Sequence, residues 1–360
     1  MIYIGAEVIV SPLGDNAEAN WQALSENRTG IALVPRIGFG GEDIYLSKIP
    51  GLNGPLRFQQ LIGKALSALS RQIDTSILSS GKTIVLISST KGALDDSLHD
   101  QFGETCAAIM RQFKLAHLPI VISNACISGV LTLNVAGNMV QAGQYEHVIV
   151  IGCDVASDFV LYGFQSLFAV SDKPCAPFDA ARNGITLGEG CGAALISSSK
   201  SVFQNAPLEL LTGTSANDAN HISGPSRTGE GLVRSVGRTM RKYGTGTEEI
   251  DFICAHGTGT VFNDEMEAIA FDRLSLSDKP LNSLKGYFGH TLGAAGVIET
   301  AVCMQMIRNG MLIKSEGYRN AGTSRPLNII LENEPKMLRA ILKTASGFGG
   351  GNASLMIRDL

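Results

Sequence analysis

Charge is scarce in this chain. Lys, Arg, Asp and Glu make up 17 % of its 360 residues, with 29 basic against 33 acidic side chains and a formal net charge of -4. Without a basic excess there is no electrostatic footprint for nucleic acid, and no basic run marks a lipid surface. Long apolar runs are also missing. Thr83 to Ile87 and Val148 to Gly152 suit buried strands and fall far short of a bilayer span. The opening segment, Ile2 to Val10, reads as a strand with no basic flank, which argues against a secretory leader. Paired cysteines are absent too. The seven cysteines (106, 126, 153, 175, 191, 254 and 303) are scattered, and none forms a CxxC pair. That excludes a sequence-readable zinc site or disulfide framework and fits a reducing, cytoplasmic setting. No GxxxxGK[ST] loop occurs, and the Gly-rich stretch from Gly347 to Asn352 runs into a strand, where a dinucleotide-binding loop needs a helix. No metal, nucleotide or other cofactor is expected.

Apolar and small residues are plentiful instead. Hydrophobic residues reach 44 %, and there are 41 glycines. This is core material with many close backbone approaches, in a chain long enough for two domains or one fold of two similar halves. The N-terminal strand turns at Ser11-Pro12-Leu13-Gly14 into a helix that Asp15 or Asn16 caps. A second helix is expected over about Leu56 to Ile73, with Arg57, Lys64 and Arg71 along one stripe. That stripe reads either as a solvated face or as a docking row for an acidic partner.

The rest of the chain repeats one grammar. A strand at Thr83–Ile87 ends in Ser88-Ser89-Thr90-Lys91-Gly92. A strand at Pro119–Ser123 runs into Asn124-Ala125-Cys126-Ile127-Ser128-Gly129 and a small-residue helix to about Ala142, and a strand follows at His147–Gly152. Later, a strand at Ile250–Ala255 ends in His256-Gly257-Thr258-Gly259-Thr260. Leu281–Lys285 then leads through Gly286-Tyr287-Phe288-Gly289-His290 into a Gly/Ala helix, and the last strand is Ser354–Arg358. The interval from Ser88 to Cys126 resembles that from Ala255 to His290, which indicates an internally duplicated α/β unit. The junction falls near residues 198–207, dividing the chain into 1–200 and 201–360.

Three residues stand out chemically. Cys126 lies where a buried strand gives way to a helix, whose N-terminal N–H groups lower a thiol pKa and favour a nucleophilic thiolate. The plain alternative is a small buried hydrophobe, the reading given to Cys153, Cys175, Cys191, Cys254 and Cys303. His256 and His290 occupy Gly-flanked strand ends, where a rigid sheet positions functional groups, although a structural histidine fits either place. The Gly347–Asn352 loop offers N–H groups to an oxyanion.

In this order the segments resemble a known family: Asn-Ala-Cys126-Ile-Ser-Gly, Ala-His256-Gly-Thr-Gly-Thr followed by Asn263, Asp264 and Glu267, Lys285-Gly-Tyr-Phe-Gly-His290-Thr-Leu-Gly-Ala-Ala-Gly, and Gly-Phe348-Gly-Gly-Gly-Asn352. They are similar to the β-ketoacyl-acyl-carrier-protein synthases, elongating condensing enzymes of Cys-His-His type. Ser11–Gly14, Pro177-Phe178-Asp179 and Gly188–Gly192 add to the match. The resemblance implies a thiolase-like fold, five layers αβαβα in two similar halves, acting as a dimer. It implies that Cys126 takes an acyl chain from a carrier-protein thioester, with the Cys126 and Phe348 N–H groups as oxyanion hole. His256 and His290 would hold the malonyl thioester and assist decarboxylation, and which of them donates and which is the base stays open. Lys285, with Glu299 nearby, would order the site, and Asp264 would support it. Thr258, Thr260 and Gly349 would contact the phosphopantetheine arm, and Phe348 would gate the acyl pocket. The partners implied are acyl carrier protein and a second ketosynthase-like subunit, identical or not.

The chain departs from the family pattern in three places. The stretch from Ile37 to Arg57 is short, Ser346 replaces a common aromatic, and Lys91 stands where an apolar residue or glycine is usual. A lysine there suits a short, polar or aromatic-capped acyl group, or a heterodimer partner, and so a specialised pathway such as aryl polyene or dialkylresorcinol synthesis. His221 reads as structural or supporting. A catalytically silent chain-length-factor-like subunit is disfavoured because Cys126, His256, Lys285 and His290 are all present. A degradative thiolase is disfavoured by the lack of a second cysteine near the C-terminus, and a starter synthase by His290.

Overall fold

The computed structural model describes residues 1–218 and 224–360; His221 lies outside them. Eleven strands join in one sheet among the described residues: β1 (Tyr3–Val10), β2 (Thr83–Ser88), β3 (Ile120–Ile122), β4 (His147–Asp154), β5 (Gly190–Ser197), β6 (Leu208–Leu211), β7 (Ser215–Asn217), β8 (Phe252–Cys254), β9 (Leu281–Asn282), β10 (Ala340–Gly347) and β11 (Gly351–Arg358). The path runs β9-β8-β10-β11-β6-β1-β5-β4-β2-β3, with β7 on β11. It contains the same five-strand pattern twice. In β3-β2-β4-β5-β1 the pairings are parallel, parallel, antiparallel and antiparallel. In β9-β8-β10-β11-β6 they follow the same sequence. The two sets meet where β1 touches β6 edge to edge, through Tyr3↔Glu209 and Ile4↔Leu208.

Nine helices complete the described architecture: α1 (Ala17–Ser25), α2 (Arg57–Ser70), α3 (Gly103–Phe113), α4 (Ser128–Gln141), α5 (Asp158–Ser166), α6 (Glu230–Tyr243), α7 (Val261–Arg273), α8 (Lys285–Phe288) and α9 (Ala295–Asn309). Strand periodicity assigns them to layers, because alternate side chains face opposite sides. Ile84, Leu86, Val148, Val150, Ala194 and Ile196 pack on Val130 and Leu133 of α4 and Val297 and Ala301 of α9. Their neighbours Val85, Ile87, Ile149, Ile151, Ala193 and Leu195 pack on α2 and α3 through Phe58, Leu61, Ile62 and Ile109. In the second set, Phe252, Cys254, Ile341 and Leu355 join the central core, and Ile253, Leu342 and Met356 face Leu232 and Val236 of α6 and Met266 and Phe271 of α7. The layers are α2/α3, sheet, α4/α9, sheet, α6/α7. This is the thiolase-like αβαβα arrangement expected.

One strand departs from simple alternation, and one sequence expectation changes. The parity of β1 flips midway: Ile2, Ile4 and Ile9 face the central core, but Ala6, Val8 and Val10 face outward. A register shift between Gly5 and Val8, with Ala6 at φ 52°, causes it. The basic stripe on α2 is not a free docking row. Arg57 turns inward, its guanidinium 2.8 Å from Asp95 and 3.4 Å from the buried carboxylate of Glu189, and Lys64 pairs with Asp15. A buried carboxylate without a partner would be costly, and Arg57 supplies it.

Candidate active site

Each five-strand set delivers one reactive side chain to the head of a central helix: Cys126 precedes α4, and His290 precedes α9. Ahead of Cys126 the chain bends sharply. Ala125 adopts φ 44°, a left-handed conformation that costs an alanine about 1–2 kcal/mol. The hydroxyl of Ser128 pins the bend, accepting the Asn124 N–H at 2.7 Å and donating to the Ala125 carbonyl at 2.6 Å. The Gly347–Phe348 loop closes over the cysteine, and a Cβ on Gly347 would lie 3.1 Å from the Cys126 nitrogen.

The sulfur of Cys126 and one ring nitrogen each of His256 and His290 lie within 4.8 Å of one another, all buried. The two imidazoles meet edge to face, centroids 5.2 Å apart. Their outer nitrogens set their tautomers. His290 Nδ1 accepts the Leu292 N–H at 3.3 Å, and His256 Nδ1 faces the Lys285 ammonium at 3.3 Å. An ammonium has no acceptor, so Nδ1 accepts in both rings and Nε2 carries the proton. Burial, reinforced by Lys285, holds both imidazoles well below their ordinary pKa. The pair therefore presents two neutral N–H donors to the cavity. A cysteine and two histidines this close could ligate a soft metal, but ligation through Nε2 would need the proton moved to Nδ1, against a backbone N–H on one ring and an ammonium on the other.

The thiol differs from expectation. Burial pushes Cys126 up to about 11, opposed by the Lys285 charge and by the Phe348 and Cys126 N–H groups that lie against the sulfur. The donors expected at a strand–helix junction are there, but α4 begins only at Ser128 and loss of water outweighs them. The resting group is a thiol, not a lowered-pKa thiolate.

Supporting groups pin the loops. Lys285 Nζ donates to the His256 carbonyl at 2.6 Å and to Glu299 at 2.8 Å. Asp264 accepts the N–H groups of Phe178, Thr258 and Gly259 and lies 3.7 Å from Arg182. Thr258 and Thr260 hydroxyls bond each other at 2.9 Å and line the cavity with Cys126, His256, His290, Phe164 and Phe348. Phe348 stacks on Phe164, centroids 5.4 Å apart. Gly349 is not in the lining; it turns the backbone at φ 81° and a side chain there would meet open space. Lys91 is buried, its ammonium 3.5 Å from the Gly92 carbonyl.

Four contributors escaped the sequence reading as site residues. Glu267 accepts the N–H groups of His256 at 2.8 Å and Gly257 at 2.6 Å; burial and the nearby Asp264 push it up to about 7. Asp154 accepts from Ser89 and from the Gly293 N–H, joining the end of β2 to the head of α9. Phe164 lines the cavity against Phe348. Lys343 is fully buried and pairs with Glu299 at 2.7 Å. Its signal was a lone lysine inside the apolar strand Ala340–Ala345.

A buried thiol, two imidazoles and a loop of backbone N–H groups meet in one cavity of a thiolase-like fold. Residues 101–201 match the β-ketoacyl synthase N-terminal domain and residues 210–319 its C-terminal domain. A putative mitochondrial 3-oxoacyl-[acyl-carrier-protein] synthase of Schizosaccharomyces pombe is 26 % identical over 97 % of this chain and 96 % of its own length. The actinorhodin polyketide putative beta-ketoacyl synthase 1 of Streptomyces coelicolor is 27 % identical over 66 % of this chain, and that match spans 54 % of the relative. A chain of the Xenorhabdus doucetiae complex of the ketosynthase ApeO with its chain length factor ApeC superposes with a TM-score of 0.90 at 26 % identity, covering 100 % of this chain and 98 % of that one. The chain belongs to the β-ketoacyl synthase family of acyltransferases.

Proposed function

We propose that the chain extends an acyl group by decarboxylative condensation with a malonyl unit, both presented by acyl carrier protein. The observation that carries this reading is the convergence of the Cys126 sulfur with the His256 and His290 rings in one buried cavity, each Nδ1 already engaged by Lys285 or the Leu292 N–H. Cys126, deprotonated, attacks the acyl thioester carbon; the bond to the carrier sulfur breaks, and the carrier leaves as a thiol with the proton that Cys126 gave up. The N–H groups of Cys126 and Phe348 hold the oxyanion. The malonyl thioester oxygen then accepts from His256 and His290, and as CO₂ departs the bonding pair becomes an enolate that these donors stabilise. Its carbon attacks the Cys126 thioester, the carbon–sulfur bond breaks, and a 3-ketoacyl carrier thioester is released; the Cys126 thiolate left behind takes a proton from solvent and returns to the resting thiol. Lys285 and Glu299 hold His256, Asp264 holds the Thr258–Thr260 loop along the pantetheine path, and Phe348 and Phe164 gate the acyl pocket.

The division at residues 1–200 and 201–360 belongs to this reading, and the repeated strand order supports it. So does a second ketosynthase-like subunit, as in the ApeO–ApeC complex. The buried Lys91 favours an acyl group that is not a plain long hydrocarbon, in a specialised pathway. Among the described residues no helix is long and apolar enough to cross a membrane; a cytoplasmic setting is our reading.

Incubation with an acyl-carrier thioester is expected to add the acyl mass to the peptide containing Cys126, and Cys126→Ala is expected to abolish both labelling and condensation. A Cys126→Ala protein that still labels and condenses would remove the nucleophile assignment.

A further inference from the structure

Lys343 sits on β10, five residues before Phe348, with no exposed surface. Its ammonium lies 2.7 Å from one oxygen of Glu299, whose other oxygen accepts from Lys285 at 2.8 Å. It also donates to the carbonyls of Thr344 at 2.7 Å, Cys254 at 3.3 Å and Ala255 at 3.4 Å. The last two residues belong to the segment that ends in His256. One carboxylate thus serves two buried ammoniums, and one of them, Lys285, touches His256. A buried lysine is expensive unless paired, and the Lys285–Glu299 pair is already balanced without it.

We infer that Lys343 is a positioning residue of the condensing site: it ties the strand leading to His256 to the strand leading to the Phe348 loop, and its charge keeps both imidazoles in the neutral, Nε2–H form. This rests on the condensing reading above. Protonating either ring places a new N–H at Nδ1, against the Leu292 N–H in His290 and the Lys285 ammonium in His256. Both rings would then be displaced from their donor geometry. A positive charge nearby opposes that protonation, and Lys343 contributes to the lowered pKa of both histidines, after burial and Lys285 in each and, in His256, after His290. The titratable groups around the rings and Lys343 are Lys285 on α8, Glu267 on α7, Lys343 on β10 and Cys126, with Glu299 and Cys303 on α9 and Cys254 on β8 packed against Lys343. Glu267 and Glu299 favour protonation of the rings; the two lysines oppose it.

The test is the pH dependence of malonyl-carrier decarboxylation, which does not require acylation of Cys126. Activity should fall on the acid side as the rings protonate. Removing the charge raises the ring pKa, so the acid limb should move to higher pH. Lys343→Met removes charge and ties together; Lys343→Gln removes the charge and keeps a donor. Both are expected to shift the limb up by about one pH unit, roughly a tenfold loss at the acid end with a smaller change at pH 8. An unshifted limb in an active variant overturns the inference. If neither variant folds, the wild-type histidine C2–H resonances decide: His256 and His290 should titrate well below the ordinary imidazole range, and a midpoint near 6.5 overturns it. A wild-type protein that decarboxylates no malonyl thioester would instead count against the condensing reading.

Discussion

A thiol held near pKa 11 reacts differently from the activated cysteine that a strand–helix junction suggests. At pH 7 only about one molecule in ten thousand carries the Cys126 thiolate. Because the folded value lies above the ordinary 9.0, the stability linked to this group is full below about pH 9 and is lost as pH rises toward 11. Alkylation of the resting enzyme by iodoacetamide should therefore quicken about tenfold per pH unit from 7 to 9, with no plateau. A plateau below pH 8, followed by peptide mapping at Cys126, would show a thiolate already formed. The sequence located the residue but not its protonation, because a junction reveals nearby donors and not how completely water is shut out. The same limit applies to Lys343: its position in an apolar strand is plain to read, but that it shares Glu299 with Lys285 requires β10 to lie beside β8.

At the scale of elements, the central layer depends on how closely α4 and α9 approach. A Cβ on Gly129 would lie 2.9 Å from the Gly296 backbone, and one on Gly296 would lie 2.4 Å from the Val130 nitrogen. Both clashes are with backbone, which cannot swing aside as a side chain can. Gly296→Ala is expected to destabilise the fold by about 1–3 kcal/mol or more, read as a lower midpoint in chemical denaturation. It should also reduce condensation, since α4 and α9 carry Cys126 and His290 at their heads; a midpoint unchanged from wild type would refute the close-approach account. The duplicated unit and the small-residue helices were legible because alternation and glycine content are local. The bulge at Ala6 was not, since every residue from Ile4 to Val10 is buried and a strand buried on both faces gives no polar beat to mark a parity change. Arg57 was misread for a related reason: a helical stripe of three basic residues looks solvated until Glu189, far along the chain, is found beneath one of them.

At the scale of the molecule, the sheet ends at β3, and this edge lies next to the chemistry. β3 pairs with β2 on one side, and no described strand covers the other. Leu118 is 53 % exposed and Ile120 42 %. An uncovered apolar edge strand is a template for another chain, and proteins that keep one usually use it. A two-fold axis at this edge would pair β3 antiparallel with its counterpart and continue the sheet through both subunits. Only three residues separate Ile122 from Cys126, so an ordered β3 is a condition for the strained bend at Ala125 to hold. The chain is therefore expected to elute as a dimer by light scattering, alone or with a homologous subunit. Leu118→Lys with Ile120→Lys should yield monomers and cut condensation at least tenfold, because the bend loses the strand that anchors it. A monomeric double variant with full activity would separate assembly from catalysis, and a dimer that survives both lysines would place the interface elsewhere.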